Sequence, residues 1–201
     1  MFLYKFLKVV LSVIFRIIFR IQVINKQDFT NNNEPLIICS NHISALDPII
    51  LAINFDRHIN FMAKKELFKN KLVGKFLKTL GAFPIDRQEL DMKSIRYSMN
   101  LLKENKVLGI FPEGTRVKKV DSSNMKEGIG LMASRTNSNI LPIYIETDYK
   151  LFKPVKIYYR PIINIENYKE LSNKDKIHQI TKDTYKSIYN LEVSNGNNNS
   201  K

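Results

Sequence analysis

Short apolar runs alternate with helical patterns along most of this chain, and that alternation restricts its fold more than any other feature. Leu36-Ile37-Ile38-Cys39, Ile59 to Met62, Ala82 to Ile85, Val107 to Phe111 and Ile140 to Glu146 read as strands, and Lys156 to Tyr159 adds an edge. Between them, helices are predicted from Pro48 onward through Ile49, Ile50, Leu51 and Ile53, and over Glu66 to Leu80 with a break at Asn70 and a glycine stop at Gly81. Further helices follow over Met92 to Asn105 and Gly128 to Thr136. Ser172 followed by Asp175 resembles a capping box opening a last helix to about Asn190. Strands separated by helices imply an α/β single domain with a largely parallel central sheet flanked by helices. Leu72, Val73, Phe76, Leu77 and Leu80 recur at helical spacing and are expected to pack in the core rather than line a ligand groove.

The first 20 residues stand apart, because polar side chains occur almost only at Lys5, Lys8, Ser12, Arg16 and Arg20. On a helix these fall within an arc of about 120°, leaving the rest of the circumference apolar, the pattern of a helix lying in a membrane interface. Charges interrupt every run long enough to span a bilayer, and Arg16 and Arg20 sit where a signal peptide needs its apolar and cleavage regions. An ordinary helix packed on the core is the competing reading. The expected division is therefore 1–22 as an amphipathic membrane-interface helix, 23–190 as the globular domain and 191–201 as a disordered polar tail.

With 201 residues the domain can bury roughly two-thirds of its extended surface and needs no staple. The single cysteine, Cys39, excludes an internal disulfide framework, and three histidines leave little capacity for metal. Lysine and arginine number 32 against 19 acidic residues, a formal net charge of +13 that should attract an anionic partner. Nucleic acid, acidic lipid headgroups and an acidic carrier protein all qualify. The first is disfavoured because the basic residues are not interleaved with aromatics on a strand platform.

Three polar clusters each follow a predicted strand directly: Asn41 to Asp47, Asp86-Arg87, and Glu113 to Arg116. Carboxyl ends of parallel strands share one rim, which is where open α/β sheets bind ligands. Asp47 lies five residues after His42, close enough across a turn to accept the proton of one imidazole nitrogen and leave the other free as a general base. Asp47 as a plain helix N-cap before Pro48, with His42 solvated, fits the spacing equally well. In Phe111-Pro112-Glu113-Gly114-Thr115-Arg116, proline and glycine suit a tight turn that presents Glu113 and Arg116. Arginine grips phosphate bidentately, and Glu113 can accept from a polyol hydroxyl. A surface ion pair is the alternative reading there. Arg87, Lys64 and Lys65 are further cations that either reach the same pocket or are solvated.

The order Asn41-His42-x4-Asp47, Ala63-Lys64-Lys65-Glu66-Leu67-Phe68, Gly81-Ala82-Phe83-Pro84-Ile85-Asp86-Arg87, Phe111 to Arg116, Lys126-Glu127-Gly128 and Leu141-Pro142-Ile143 resembles the glycerolipid acyltransferases, closest to the 1-acylglycerol-3-phosphate acyltransferases, over about residues 30 to 165. The resemblance implies transfer of an acyl group from acyl carrier protein or coenzyme A to lysophosphatidic acid, giving phosphatidic acid in phospholipid biosynthesis. It implies His42 as base, Asp47 as its orienting partner and Asn41 in support. Lys64, Arg87 and Arg116 would hold the acceptor phosphate, and Glu113, with Gly114 and Thr115, would contact the acceptor. No cofactor and no metal are implied beyond the thioester co-substrate.

No Gly-x-Ser-x-Gly elbow is present, and Cys39 reads as a buried strand thiol, so direct attack of the glycerol hydroxyl on the thioester is expected, without an acyl-enzyme. A lipid acceptor places the site against an anionic bilayer surface, at the cytoplasmic face of the membrane, with peripheral or monotopic attachment. Two alternatives stand: an acyltransferase using glycerol 3-phosphate or a lyso-aminolipid as acceptor, and a non-catalytic basic membrane module.

Overall fold

The structure is a computed structural model describing residues 2–85, 92–116 and 126–190. Seven strands form one sheet in the order β1-β7-β6-β2-β5-β3-β4: β1 (Arg20–Ile24), β2 (Leu36–Ser40), β3 (Ile59–Lys64), β4 (Ala82–Ile85), β5 (Val107–Ile110), β6 (Asn139–Glu146) and β7 (Pro154–Tyr159). Every pairing is parallel except β6 with β7. The helices are α1 (Phe2–Ile18), α2 (Asp47–Asn54), α3 (Lys71–Thr79), α4 (Met92–Lys103), α5 (Gly128–Thr136) and α6 (Asn173–Tyr189), with 3-10 turns at Lys65–Phe68 and Ile165–Tyr168. The α/β expectation is met, and Ser172 caps α6 by accepting from the amide of Asp175.

Because side chains alternate across a strand, each central strand feeds two cores. Leu36 and Ile38 join α1 and α2 on one face through Phe15, Phe19, Ile50 and Ile53. Ile37 and Cys39 join α4, α5 and α6 on the other through Leu101, Ile129, Met132 and Ile180. The chain leaves β2 across α2 on the first face to reach β3, but leaves β5 across α5 on the second face to reach β6. Right-handed crossovers that run in opposite directions must cover opposite faces. Between β2 and β5 the departing connections go to opposite faces, the switch point at which open α/β sheets bind ligands beyond the carboxyl ends of their strands.

Four expectations change. The N-terminal helix closes at Ile18, and Arg20–Ile24 pairs in parallel with β7, so Lys156 to Tyr159 is an interior strand rather than an edge. Lys8 does not face water: it is half-buried, its amine donates to the carbonyl of Phe55, and burial lowers its pKa. The apolar circumference of α1 is shared between the domain, which Tyr4, Leu11 and Phe15 meet, and the outside, where Phe6, Val9, Val13 and Ile17 are exposed. Of the five residues expected to pack in the core, Leu72, Val73 and Phe76 are exposed, Leu77 is half-buried and only Leu80, just after α3, is buried. The backbone of α3 is held against the preceding turn at Gly74, where a Cβ would stand 3.1 Å from the carbonyl of Phe68, and its apolar side faces away from the core. The expected polar tail, 191–201, lies outside the described residues.

Candidate active site

Asn41 begins the site by ending the sheet. Its buried side chain donates to the carbonyl of Ile145 at 2.9 Å and accepts from the amide of Ile145 at 2.7 Å, extending the β2–β6 ladder by one side-chain step. The chain then turns sharply through His42 to Leu46 and enters α2 at Asp47-Pro48, with proline in the first turn. Asp47 makes no capping bond to its own helix. Its side chain turns back, where Oδ2 accepts from the amides of Ile43 at 2.7 Å and Ser44 at 2.8 Å and meets His42 Nδ1 at 2.8 Å. Oδ1 accepts from the Tyr149 hydroxyl at 2.6 Å. With Oδ2 already accepting from two amides, the contact suits Nδ1 as a donor, and in a neutral imidazole that leaves the lone pair on Nε2. Asp47 is wholly buried, while the His42 side chain retains 12% exposure, enough to be reached from the rim.

The imidazole plane is fixed from β5. Phe111 stacks on His42 with centroids 4.1 Å apart, and Phe61 lies parallel beyond it at 6.0 Å. Gly109 makes that possible, since a Cβ there would stand 2.3 Å from the Phe61 ring. After Phe111 the chain turns with Gly114 at a φ of 65°, the left-handed region that favours glycine. Glu113 points inward and is buried. One oxygen accepts from the hydroxyl of Tyr189, at the end of α6, and Oε2 has no partner among the described residues. Burial raises the pKa of Glu113, with His42 and Asp47 both near enough to act on it electrostatically.

Gly114 is half-buried, and Thr115 and Arg116 are exposed just beyond. Lys126 lies over this turn, its amine 3.4 Å from where a Cβ of residue 114 would be. Lys64 ends β3 on the same rim, exposed and 3.9 Å from Glu66. Thus His42, Asp47 and Glu113 form a buried cluster, Lys64 and Arg116 stand at the solvent side of that rim, and Arg87 lies outside the described residues. Cys39 is fully buried in the second core, and burial pushes its thiol far above the ordinary range. No group of metal ligands occurs among the described residues.

Sequence reasoning passed over Tyr149, Tyr189 and the Phe111 stack. Tyr149 was within reach, because it follows the predicted strand Ile140 to Glu146 and so belongs to the same rim. Nothing local to Tyr189 betrays its contact with Glu113.

Such a cluster can take a proton from a hydroxyl at Nε2, hold that hydroxyl's neighbours at Glu113, and hold an anionic group between exposed cations. A family model described as Acyltransferase matches residues 20–146. The chain is 31% identical over 196 residues to the 1-acyl-sn-glycerol-3-phosphate acyltransferase of Bacillus subtilis (strain 168), covering 94% of this chain and 97% of that protein. It is 35% identical over 121 residues to the enzyme of the same name from Streptococcus pneumoniae, covering 59% and 44% of the two chains. The crystal structure of the 1-acyl-sn-glycerophosphate (LPA) acyltransferase, PlsC, from Thermotoga maritima shares the fold at a TM-score of 0.69 and 19% identity, over 94% of this chain and 81% of that one.

Proposed function

The chain belongs to the acyltransferase family, and from that premise we propose that it moves a fatty acyl group from an acyl thioester to the sn-2 hydroxyl of 1-acylglycerol 3-phosphate, forming phosphatidic acid. The observation that carries the reading is the placement of His42: Nδ1 on Asp47 at 2.8 Å, ring stacked on Phe111, and Nε2 without a partner among the described residues. In this reading Nε2 removes the hydroxyl proton as the oxygen attacks the thioester carbonyl, and the resulting imidazolium is stabilised by the Asp47 carboxylate. The proton then passes to the departing thiolate, and an ester replaces the thioester with no acyl-enzyme. Arg116, Lys64 and Arg87 hold the acceptor phosphate, a planar guanidinium matching two phosphoryl oxygens at once. Glu113 accepts from the glycerol portion of the acceptor, with Gly114 shaping the turn and Thr115 beside it.

The acceptor is a bilayer lipid, so the rim must work against a membrane. No helix among the described residues is long and apolar enough to cross one. Exposed Phe6, Val9, Val13 and Ile17, flanked by Lys5 and Arg16, suit attachment in the plane of an anionic surface at the cytoplasmic face. The donor is the thioester of acyl carrier protein or of coenzyme A, and the positive net charge suits either anionic partner.

The test is incubation of the full chain with lysophosphatidic acid in mixed micelles and each thioester in turn, with mass analysis of the lipid product. Phosphatidic acid should form, and His42→Ala should lower kcat by about 100- to 10,000-fold with acceptor binding little changed. A His42→Ala protein turning over at the wild-type rate would end the mechanism. Product from glycerol 3-phosphate but not from lysophosphatidic acid would reassign the acceptor.

A further inference from the structure

We propose that Tyr149 is a positioning residue of the reaction, acting through Asp47 to hold His42 in its working orientation. The inference rests on the direct-transfer reading above and adds to it a residue outside every motif that supports that reading. Three observations carry it. The hydroxyl of Tyr149 donates at 2.6 Å to Oδ1, the carboxylate oxygen that faces away from His42. Without it, that oxygen would be buried with no donor among the described residues, and the carboxylate would be held from one side only. Burial, with the Asp47 carboxylate beside it, pushes the phenol well above its usual pKa, so it remains a donor throughout the range in which the protein is folded.

The second observation is backbone conformation. Among the described residues six non-glycine positions have positive φ; four are asparagines, which tolerate it. The other two, Tyr149 at 52° and Phe152 at 60°, are aromatic and share one loop. Left-handed backbone at bulky residues is costly and persists where surrounding contacts over-determine it. Here the tyrosine amide donates to Thr147 Oγ1 at 2.9 Å, and the phenol ring meets Phe19 edge-on at 5.7 Å.

Thirdly, the loop is fastened at its far end. The amide of Phe152 donates to the carbonyl of Ile18 at 2.8 Å, and the amide of Arg20 donates to the carbonyl of Lys153 at 3.2 Å. The loop from Tyr149 to Lys153 is thus tied to the junction of α1 with β1 at one end and to Asp47 at the other. A tyrosine serving only to fill space would need neither the hydroxyl contact nor this backbone.

Tyr149→Phe keeps the ring on Phe19 and removes one oxygen. In the full chain, assayed in mixed micelles with lysophosphatidic acid, it should lower kcat by about 10- to 100-fold, the worth of a hydrogen bond to a charged group, and leave KM for the acceptor unchanged. In an Asp47→Asn background the same substitution should cost nothing further in kcat, since residues acting as a unit are not additive. Thr147→Val reaches the same contact from the backbone side with the phenol intact and should lower kcat severalfold. An unchanged kcat in either folded variant, or an undiminished loss in the Asp47→Asn background, overturns the assignment. Either result alongside an inactive His42→Ala removes only the role of Tyr149, whereas an active His42→Ala removes the direct-transfer reading itself.

Discussion

Asp47, at the start of α2, and Glu113, on a loop, are both buried carboxylates reached just after neighbouring parallel strands, and each accepts from a tyrosine far away in the chain, Tyr149 for one and Tyr189 for the other. They differ in what is left over. Both oxygens of Asp47 are engaged by the loop amides, His42 and the phenol. Glu113 has one oxygen on Tyr189 and a second that is buried with no partner among the described residues. A saturated carboxylate cannot move and so can fix a neighbour's tautomer. An unsaturated one carries a desolvation cost that a donor arriving from outside would relieve. The contrast fits the proposed division of labour, in which Asp47 orients the base and Glu113 waits for an acceptor hydroxyl.

The largest effect expected at this pair is that of Asp47→Asn. Two backbone amides require an acceptor on the Oδ2 side, so the asparagine oxygen should stay there and its amino group should turn toward Tyr149, whose oxygen can accept. Fold and tautomer survive, but the charge that stabilises an imidazolium is gone. We expect kcat to fall by about 1,000-fold with a midpoint of thermal unfolding within a few degrees of the wild type. Asp47→Ala should lose the same rate and unfold more easily, because it orphans both amides. An asparagine variant that keeps wild-type kcat would break the contrast between the two acids.

Glu113→Gln should act with opposite signs on binding and on stability. The folded state raises the pKa of Glu113 through burial, so the ionised side chain weighs against folding once pH exceeds its ordinary value of about 4.3. Glutamine removes that burden, and at pH 8 the variant should be about 1 kcal/mol more stable than the wild type. The advantage should vanish near pH 3, where glutamate is protonated in folded and unfolded chains alike. Meanwhile an amino group replaces the open acceptor oxygen, and KM for lysophosphatidic acid should rise about tenfold. Thermal unfolding at the two pH values, beside one kinetic series, checks both signs. A variant less stable at pH 8 would mean that Glu113 is not under strain.

How much of this was legible beforehand follows from the range of the interactions. Runs such as Leu36 to Cys39 and Val107 to Ile110 are buried on both faces, so their sequence carries the strand signal undiluted. The His42–Asp47 contact spans five residues, within one turn, and spacing alone could suggest it. Arg20–Ile24 was absorbed into the preceding helix because its alternation is half-polar and its partner, β7, lies more than 130 residues on. α3 misled for another reason: apolar spacing fixes which residues share a face, not whether the domain covers that face. Tyr149 could be placed on the rim because it follows a legible strand, but its pairing with Asp47, like that of Tyr189 with Glu113, forms only once the sheet has assembled, and no local pattern encodes a contact over that distance.

Cys39→Ser should change turnover least and sharpen the contrast from beneath both loops. The thiol sits in β2, in register with Ile110 of β5 and Pro142 of β6, at the root of the Asn41 turn. Three residues before His42 in the chain, it is the alternative nucleophile to weigh, since an acyl-enzyme on Cys39 would be a thioester that the acceptor then attacks. That route needs a thiolate, and burial, reinforced by the charge of Glu113, drives the thiol the other way. Its side chain also lies with Ile37 in the core beneath α4, α5 and α6, on the face that strand alternation turns away from α2. Serine there places a hydroxyl in an apolar site, so the protein should lose about 1 to 2 kcal/mol of stability while kcat stays within a factor of about two. Stability and rate therefore separate at this position, as they separate with the opposite sign at Glu113. Isolation of an acylated Cys39 from the wild type, with turnover abolished in Cys39→Ser, would make sulfur the nucleophile that attacks the donor thioester and leave His42, still held by Asp47, as the base that serves it.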